Sequence, residues 1–274
     1  MKVVIFCGGR GTRLREAGEN TPKPMALIGD RPILWHLMRY YAHFGHTDFV
    51  LCLGYGAAEI RNYFLAQRGA LPTTIPYRRG ESESAGAGAA EREGEGACVT
   101  VDNREWHIAF ADTGEDASIG QRLFAARKYV EQETDFLANY ADGLSDLPLP
   151  VFIDRFRAAG KVANFVAVRP SLTQHFVSAG ADGVVRTIQP ATETNLRVNG
   201  GYFLFRREIF DYMREGEELV QQPFQRLIAA GELFACPHDG WFGCMDTFKE
   251  KQQLNDDYAG GRAQWELWRD PATR

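Results

Sequence analysis

The residues able to do chemistry fall in three short stretches. Residues 7–25, CGGRGTRLREAGENTPKPM, follow the apolar run VVIF and place Gly8, Gly9 and Gly11 ahead of Thr12 and Arg13. Glycines so spaced admit positive φ and let main-chain N–H groups approach an anion closely. Thr12 and Arg13 stand where a following helix would begin, and helix N-termini attract phosphate. The same pattern also fits an ordinary tight turn. It is neither a GxxxxGK[ST] loop nor a complete GxGxxG fingerprint, because Leu14 occupies the last glycine position. Lys23 lies between Pro22 and Pro24. Prolines fix φ and restrict the residue before them, which predicts a cation held on a stiff extended segment. Arg10, Arg13, Arg15 and Lys23 form a local cationic cluster, of which Arg10 and Arg15 are expected to face solvent.

The other two stretches each carry an aspartate. Asp142 follows the run DFLANYA and precedes Gly143; Asp246 sits between Met245 and Thr247. An aspartate before glycine is commonly a turn or cap residue. A carboxylate just past a strand end is also a good ligand for a hard cation, and Mg²⁺ takes one or two carboxylates and completes its shell with phosphate oxygens. Two such acids beside a phosphate loop favour the second reading.

The elements that must position these groups alternate. Residues 3–6 and 48–54 read as strands buried on both faces, and 33–44 and 57–67 as helices. Strand, helix, strand, helix is the pattern of a parallel sheet with helices outside. It continues with strand 106–114, helix 118–130, strand 135–143, helix 151–160, strand 163–168, a hairpin over 175–189, strand 200–205, and helices at 207–213, 223–231 and the end of 245–258. The expected fold is α/β: a Rossmann-like mixed, mostly parallel sheet flanked by helices, with a small β-hairpin lobe. In such sheets ligands bind beyond the carboxyl ends of the strands. Residues 78–97 contain no branched aliphatic or aromatic side chain, so a mobile surface loop is expected there. Residues 1–274 read as one domain, with 260–274 as a C-terminal tail; QWELW (264–268) suits either core or a subunit contact.

The chain has a net charge of −5, without the basic footprint of a nucleic-acid binder. Its five cysteines, Cys7, Cys52, Cys98, Cys236 and Cys244, form no CxxC pair, which suits a reducing compartment. No stretch approaches the ~20 apolar residues of a membrane span, and the N-terminus enters a strand at once; a cytoplasmic protein without a membrane partner is expected.

Taken in order, GGxGTRL, PKPM, PILWH, DFV-C-GY, W…DTG, YxDG, NGG and MDT resemble the sugar-1-phosphate nucleotidyltransferases, the glucose-1-phosphate cytidylyltransferase type above all, over about residues 1–260. The resemblance implies that a sugar 1-phosphate attacks the α-phosphorus of a nucleoside triphosphate, releasing pyrophosphate and a nucleotide sugar. It implies that Gly8, Gly9, Gly11 and Thr12 hold the triphosphate, Arg13 screens the pyrophosphate, and Lys23 bridges the two reacting phosphates. Asp142 and Asp246 would hold Mg²⁺. Phe6, Cys7, Thr113 and Gly114, with Asp112 beside them, would face the base; Arg122 would lie near base and phosphates. Asn199, Gly200 and Gly201 would line the sugar site, although NGG also fits a plain turn. Partners would be the two substrates and further copies of the chain in a homo-oligomer. No nucleophilic side chain is required, because the attacking phosphate is already ionised; the work is positioning and charge neutralisation.

The pattern breaks in three places. Gln189 and Pro190 stand where the family carries a Glu-Lys pair, Ala141 replaces the glycine of YGDG, and Gly56 stands where cytidylyltransferases often have lysine. Arg197 is a candidate substitute for the lost lysine. These changes bear on the sugar and on preference for CTP over dTTP, UTP or ATP. They also keep in view a catalytically weak, nucleotide-binding regulatory relative. A Rossmann oxidoreductase is disfavoured by Leu14 and by the lack of a ribose-binding acid at the usual spacing.

Overall fold

The computed structural model describes residues 1–9, 21–67, 70–77, 92–170 and 175–269. Strand β1 (Val3–Phe6) is followed by a small hairpin, β2 (Leu27–Ile28) and β3 (Arg31–Pro32), then helix α1 (Ile33–His43). Next come β4 (Asp48–Leu53), α2 (Ala57–Leu65) and three strands, β5 (Leu71–Tyr77), β6 (Arg92–Val101) and β7 (Arg104–Asp112). The middle of the chain supplies α3 (Ile119–Val130), β8 (Asp135–Tyr140), β9 (Gly143–Ser145), α4 (Leu149–Ala159) and β10 (Ala163–Val168). A second hairpin, β11 (His175–Ala179) and β12 (Val185–Pro190), precedes β13 (Val198–Arg206) and α5 (Gln222–Ala230). The described chain closes with β14 (Leu233–His238), β15 (Phe242–Cys244) and α6 (Phe248–Ala259).

One nine-stranded sheet runs β14-β10-β13-β8-β1-β4-β7-β6-β5. Only β13 and β6 run against the others, so the sheet is mixed and mostly parallel, as the sequence pattern predicts. The fold is the Rossmann-like α/β expected. β1 lies at its centre, between β4 and β8, and is buried on both faces: Val3 and Ile5 enter one core layer, Val4 and Phe6 the other. That is why its sequence shows no polar alternation. Helices α1, α2, α4 and α6 cover the first face; α3 and α5 cover the second.

Several expectations change. Residues 92–97 are not loop; they are the first part of β6, paired throughout to β5, and from Gly96 onward also to β7, with Gly96 and Ala97 buried. Small residues fit there because the strand is sandwiched between neighbours, a tertiary circumstance that composition does not record. The rest of that expected loop, 78–91, lies outside the described residues. The segment 207–213 forms a 3-10 turn (Arg207–Tyr212), not an α-helix. The end of the chain is not a loose tail throughout: Ala263 and Trp265 are buried, and Trp265 donates its indole N–H to His36 Nδ1 at 3.4 Å. QWELW therefore contributes to the core. Among the described residues no helix is long and apolar enough to cross a membrane.

Candidate functional site

The carboxyl ends of β1, β4, β7 and β8 point to one side of the sheet, and a cavity of about 520 Å³ opens there. Phe6, Gly9, Lys23, Tyr140, Asp142 and Asp246 line it, as do Ser118, Ile119, Arg122 and Glu218.

Asp142 and Asp246 are brought together by backbone register. β9 and β15 pair antiparallel, Gly143 opposite Cys244, and the Met245 N–H donates to the Asp142 carbonyl at 2.9 Å. One step further along the ribbon, Asp246 falls beside Asp142. Asp246 is also fixed from the helix side: Thr247 caps α6 in a reciprocal box with Glu250, and the Asp246 N–H donates to Glu250 Oε2 at 2.8 Å. A helix N-terminus is a favourable neighbourhood for a carboxylate.

Lys23 completes the cluster. Its ammonium donates to Asp142 Oδ2 and, at 2.5 Å, to Asp246 Oδ1. Burial works against the ammonium charge, but the two carboxylates outweigh it and the lysine pKa is raised. The expectation of an extended segment holds for Pro22 only (φ −54°, ψ 138°); Lys23 opens a 3-10 turn, Lys23–Met25. Pro22 in turn rests on Gly56, where an added Cβ would fall 2.0 Å from the proline ring. Gly56 has φ +72°, so the loop carrying Lys23 packs against a position that only glycine fills without strain. Cys244 lies beside the acids, and its Sγ is 3.5 Å from Asp246 Oδ2. Burial, then the charge of Asp142, pushes the thiol pKa well up.

Arg122 lies beneath the cavity, 2% exposed. Its guanidinium donates to the carbonyls of Leu53, Gly114, Gly8 and Glu115 at 2.9–3.2 Å and to Thr113 Oγ1 at 2.7 Å. It therefore ties together the loops after β1, β4 and β7, and those protein bonds leave little of its fork for a ligand. Burial lowers its pKa. An added Cβ at Gly8 would lie 2.0 Å from Arg122 Nη1, so a side chain there would push the guanidinium off these bonds. Thr113 is held too, its hydroxyl donating to the Leu53 carbonyl at 2.7 Å. Cys7 is fully buried, and its N–H donates to the Cys52 carbonyl, so neither thiol nor amide is free to face a base.

Asn199 folds back on its own turn: Oδ1 accepts from the Gly201 N–H at 2.9 Å, and Nδ2 donates to Tyr140 Oη at 3.4 Å. Gly201 has φ +75°, and an added Cβ would meet the Tyr140 ring at 2.4 Å. NGG thus shapes the wall carrying Tyr140. Burial, then Glu218 and Asp142, pushes Tyr140 up to about 12, so it stays a phenol and can donate. Gln189 and Pro190 lie on the β11–β12 hairpin, opposite Phe176 and His175. Arg197 is bound elsewhere: it pairs with Asp239 at 2.8 Å and donates to the carbonyls of Ala167 and His238. It is not a free cation standing in for the missing lysine. Gly11, Thr12 and Arg13 lie outside the described residues.

Sequence reasoning missed Tyr140, Glu218, Ser118 and Cys244 as cavity neighbours. Ser118 carried a signal, since Ser118 and Gln121 spell a capping box; Glu218, whose Oε2 accepts from the Ile119 N–H at 3.1 Å, carried none.

Residues 2–270 match the family model described as nucleotidyl transferase, and the chain belongs to that family. It is 32% identical over 273 residues to the glucose-1-phosphate cytidylyltransferase of Salmonella typhimurium, covering 98% of this chain and 100% of that one. It is 25% identical over 247 residues to the UTP–glucose-1-phosphate uridylyltransferase of Synechocystis sp., covering 85% of this chain and 57% of that one. The crystal structure of HddC from Yersinia pseudotuberculosis complexed with GMP-PN shares the fold, with a TM-score of 0.62, 18% identity, and coverage of 94% of this chain and 99% of that chain.

Proposed function

We propose that the cavity joins a nucleoside triphosphate, CTP first among the candidates, to a sugar 1-phosphate, glucose 1-phosphate or a related sugar-like phosphate, giving a nucleotide sugar and pyrophosphate. The carrying observation is the convergence of Lys23, Asp142 and Asp246 at the carboxyl ends of the central strands. Two anions that repel one another must be brought into line, and fixed charge at the point of contact is the main device available.

Lys23 supplies that charge on a turn clamped by Pro22 and Gly56, and its raised pKa keeps it cationic at neutral pH. Asp142 and Asp246 offer two hard oxygen donors side by side, which fits Mg²⁺ with phosphate oxygens completing its shell. When bound, the ion neutralises phosphate charge and orients the triphosphate. Tyr140, kept protonated, donates into the cavity, and Arg122 holds the loops under the nucleotide in register. From the family resemblance, Gly11, Thr12 and Arg13 complete the triphosphate grip. No side chain need accept a proton, since the attacking phosphate oxygen is already ionised.

The same reading carries cytoplasmic placement and a homo-oligomer. Phe176, Val177, Val185 and Ile188 on the β11–β12 hairpin are exposed apolar surface that assembly would cover. Sedimentation of one species at monomer mass over a wide concentration range would remove that part.

Pyrophosphate release measured for each triphosphate against a panel of sugar 1-phosphates tests the reaction. Turnover with CTP and glucose 1-phosphate above the other pairs is expected. Tight nucleotide binding with no turnover for any pair would instead favour the regulatory reading, which the Gln189–Pro190 replacement motivates.

A further inference from the structure

At the amino end of β7, the opposite end from the cavity, three side chains of different chemistry gather on one sheet face. Cys98 of β6 and His107 of β7 are direct cross-strand partners, and Glu105, opposite Thr100, lies two residues from His107 on the same side. Strand alternation turns the intervening Val99 and Trp106 into the core, where Trp106 is fully buried, so a register slip that would scatter the three is strongly opposed. The turn joining the strands is equally fixed. Asp102 and Asn103 both have positive φ, Arg39 pairs with Asp102 at 2.8 Å, and Arg104 Nη1 donates to the Ala42 carbonyl at 2.5 Å. A sulfur, a ring nitrogen and a carboxylate oxygen lie within 4.8 Å of one another. None of these three side chains makes another hydrogen bond or ion pair among the described residues.

We propose that Cys98, Glu105 and His107 form a binding site for a zinc-class divalent cation. Thiolate, imidazole and carboxylate are the donor types such ions take, at about 2.0–2.3 Å in a tetrahedral shell. Three protein ligands leave the fourth position to water. Thiolate and carboxylate together carry two negative charges, which balance the ion. Burial, then the Glu105 charge, raises the free Cys98 thiol pKa, so binding forms the metal–sulfur bond and releases the thiol proton to solvent. The ion would staple β6 to β7 by their side chains, and the site is distinct from the donor set at Asp142 and Asp246. A hard Mg²⁺ ion does not suit a thiol and an imidazole, whereas two carboxylates dominate the other donor set, which has no imidazole and holds Cys244 beside them.

The test is cobalt(II) titration of the full-length protein, read by the near-ultraviolet thiolate-to-cobalt charge-transfer band, with zinc competition to displace it. One equivalent giving that band is expected. Cys98→Ser should abolish it, His107→Ala should weaken binding by about tenfold or more, and Cys244→Ser should leave it in place. Pyrophosphate release with Mg²⁺ should be unchanged in Cys98→Ser, which also shows that the variant is folded. No band in the wild type, a band surviving in Cys98→Ser, or one lost in Cys244→Ser alone overturns the proposal.

Discussion

Lys23 and Asp246 lie 223 positions apart in the chain and meet at 2.5 Å through Nζ and Oδ1. The same ammonium donates to Asp142, so one cation holds two acids that would otherwise repel each other. Replacing Lys23 with Met is expected to lower turnover by about 10²–10³-fold, the loss typical of removing one preorganised charge-stabilising donor. It should also enlarge the rise in melting temperature produced by Mg²⁺, because the acids lose their competing cation. Scanning calorimetry with and without Mg²⁺ reads the second effect; an unchanged rise would place the ion elsewhere.

Asp142→Asn and Asp246→Asn each remove one of the paired carboxylates. Either change should weaken Mg²⁺ binding by about tenfold or more, measured by isothermal titration in the presence of nucleotide. Asp246→Asn should leave α6 intact, because its cap is Thr247 and Glu250. Retained far-ultraviolet circular dichroism alongside lost Mg²⁺ affinity is the expected pair of results.

Arg122→Ala removes one donor from each of four carbonyls and one hydroxyl; the Leu53 carbonyl keeps Thr113 and the Gly8 carbonyl keeps the Tyr55 N–H, whereas the Gly114 and Glu115 carbonyls lose the guanidinium that caps them. Buried acceptors left unpaired are costly, and a loss of about 3 kcal/mol or more is expected from urea unfolding. Arg122→Lys should recover only part, since an ammonium cannot reproduce the planar fork. Nucleotide affinity should fall in both variants, because the loops after β1, β4 and β7 lose their common tether.

His36 is fully buried against Trp265, and burial lowers its pKa to about 4. Its folded pKa lies below the ordinary value of 6.5. The stabilising contribution is therefore whole above about pH 6.5 and is lost as pH falls toward 4, where the unfolded chain binds the proton first. About 3 kcal/mol should disappear across that window. Urea unfolding at about pH 7 and about pH 4.5 should show a shallower pH dependence in His36→Gln than in the wild type.

Deleting 80–91 and deleting 80–96 should differ. The longer deletion removes half of β6, including buried Gly96, and with it the partner of Ala109 in β7. A fall of roughly 5 °C or more in melting temperature is expected for the longer deletion relative to the shorter. Equal melting temperatures would show that β6 adds little to the sheet.

Local sequence determined much of this protein. VVIF reads as a strand covered on both faces, as it is, and α1 announces its buried stripe through Ile33, Leu37, Met38 and Tyr41. Ser118 and Gln121 write the start of α3. The glycine loop, Lys23, Asp142 and Asp246 were legible as chemistry because they stand together just past strand-like runs, where an open parallel sheet binds its ligands. Their meeting was not legible. It depends on β9 and β15, three residues each, too short for any periodicity, whose pairing sets Asp142 beside Asp246. Arg122 read as a ligand contact; only the folded chain shows five protein acceptors closing around it. Residues 92–97 read as loop because they carry no branched aliphatic or aromatic side chain, yet Gly96 and Ala97 lie between β5 and β7, where small size allows close pairing. Spacing and side-chain type are properties of the chain and travel with it. Which distant groups share a pocket follows from strand register and layer packing, and those arise only when the whole sheet closes.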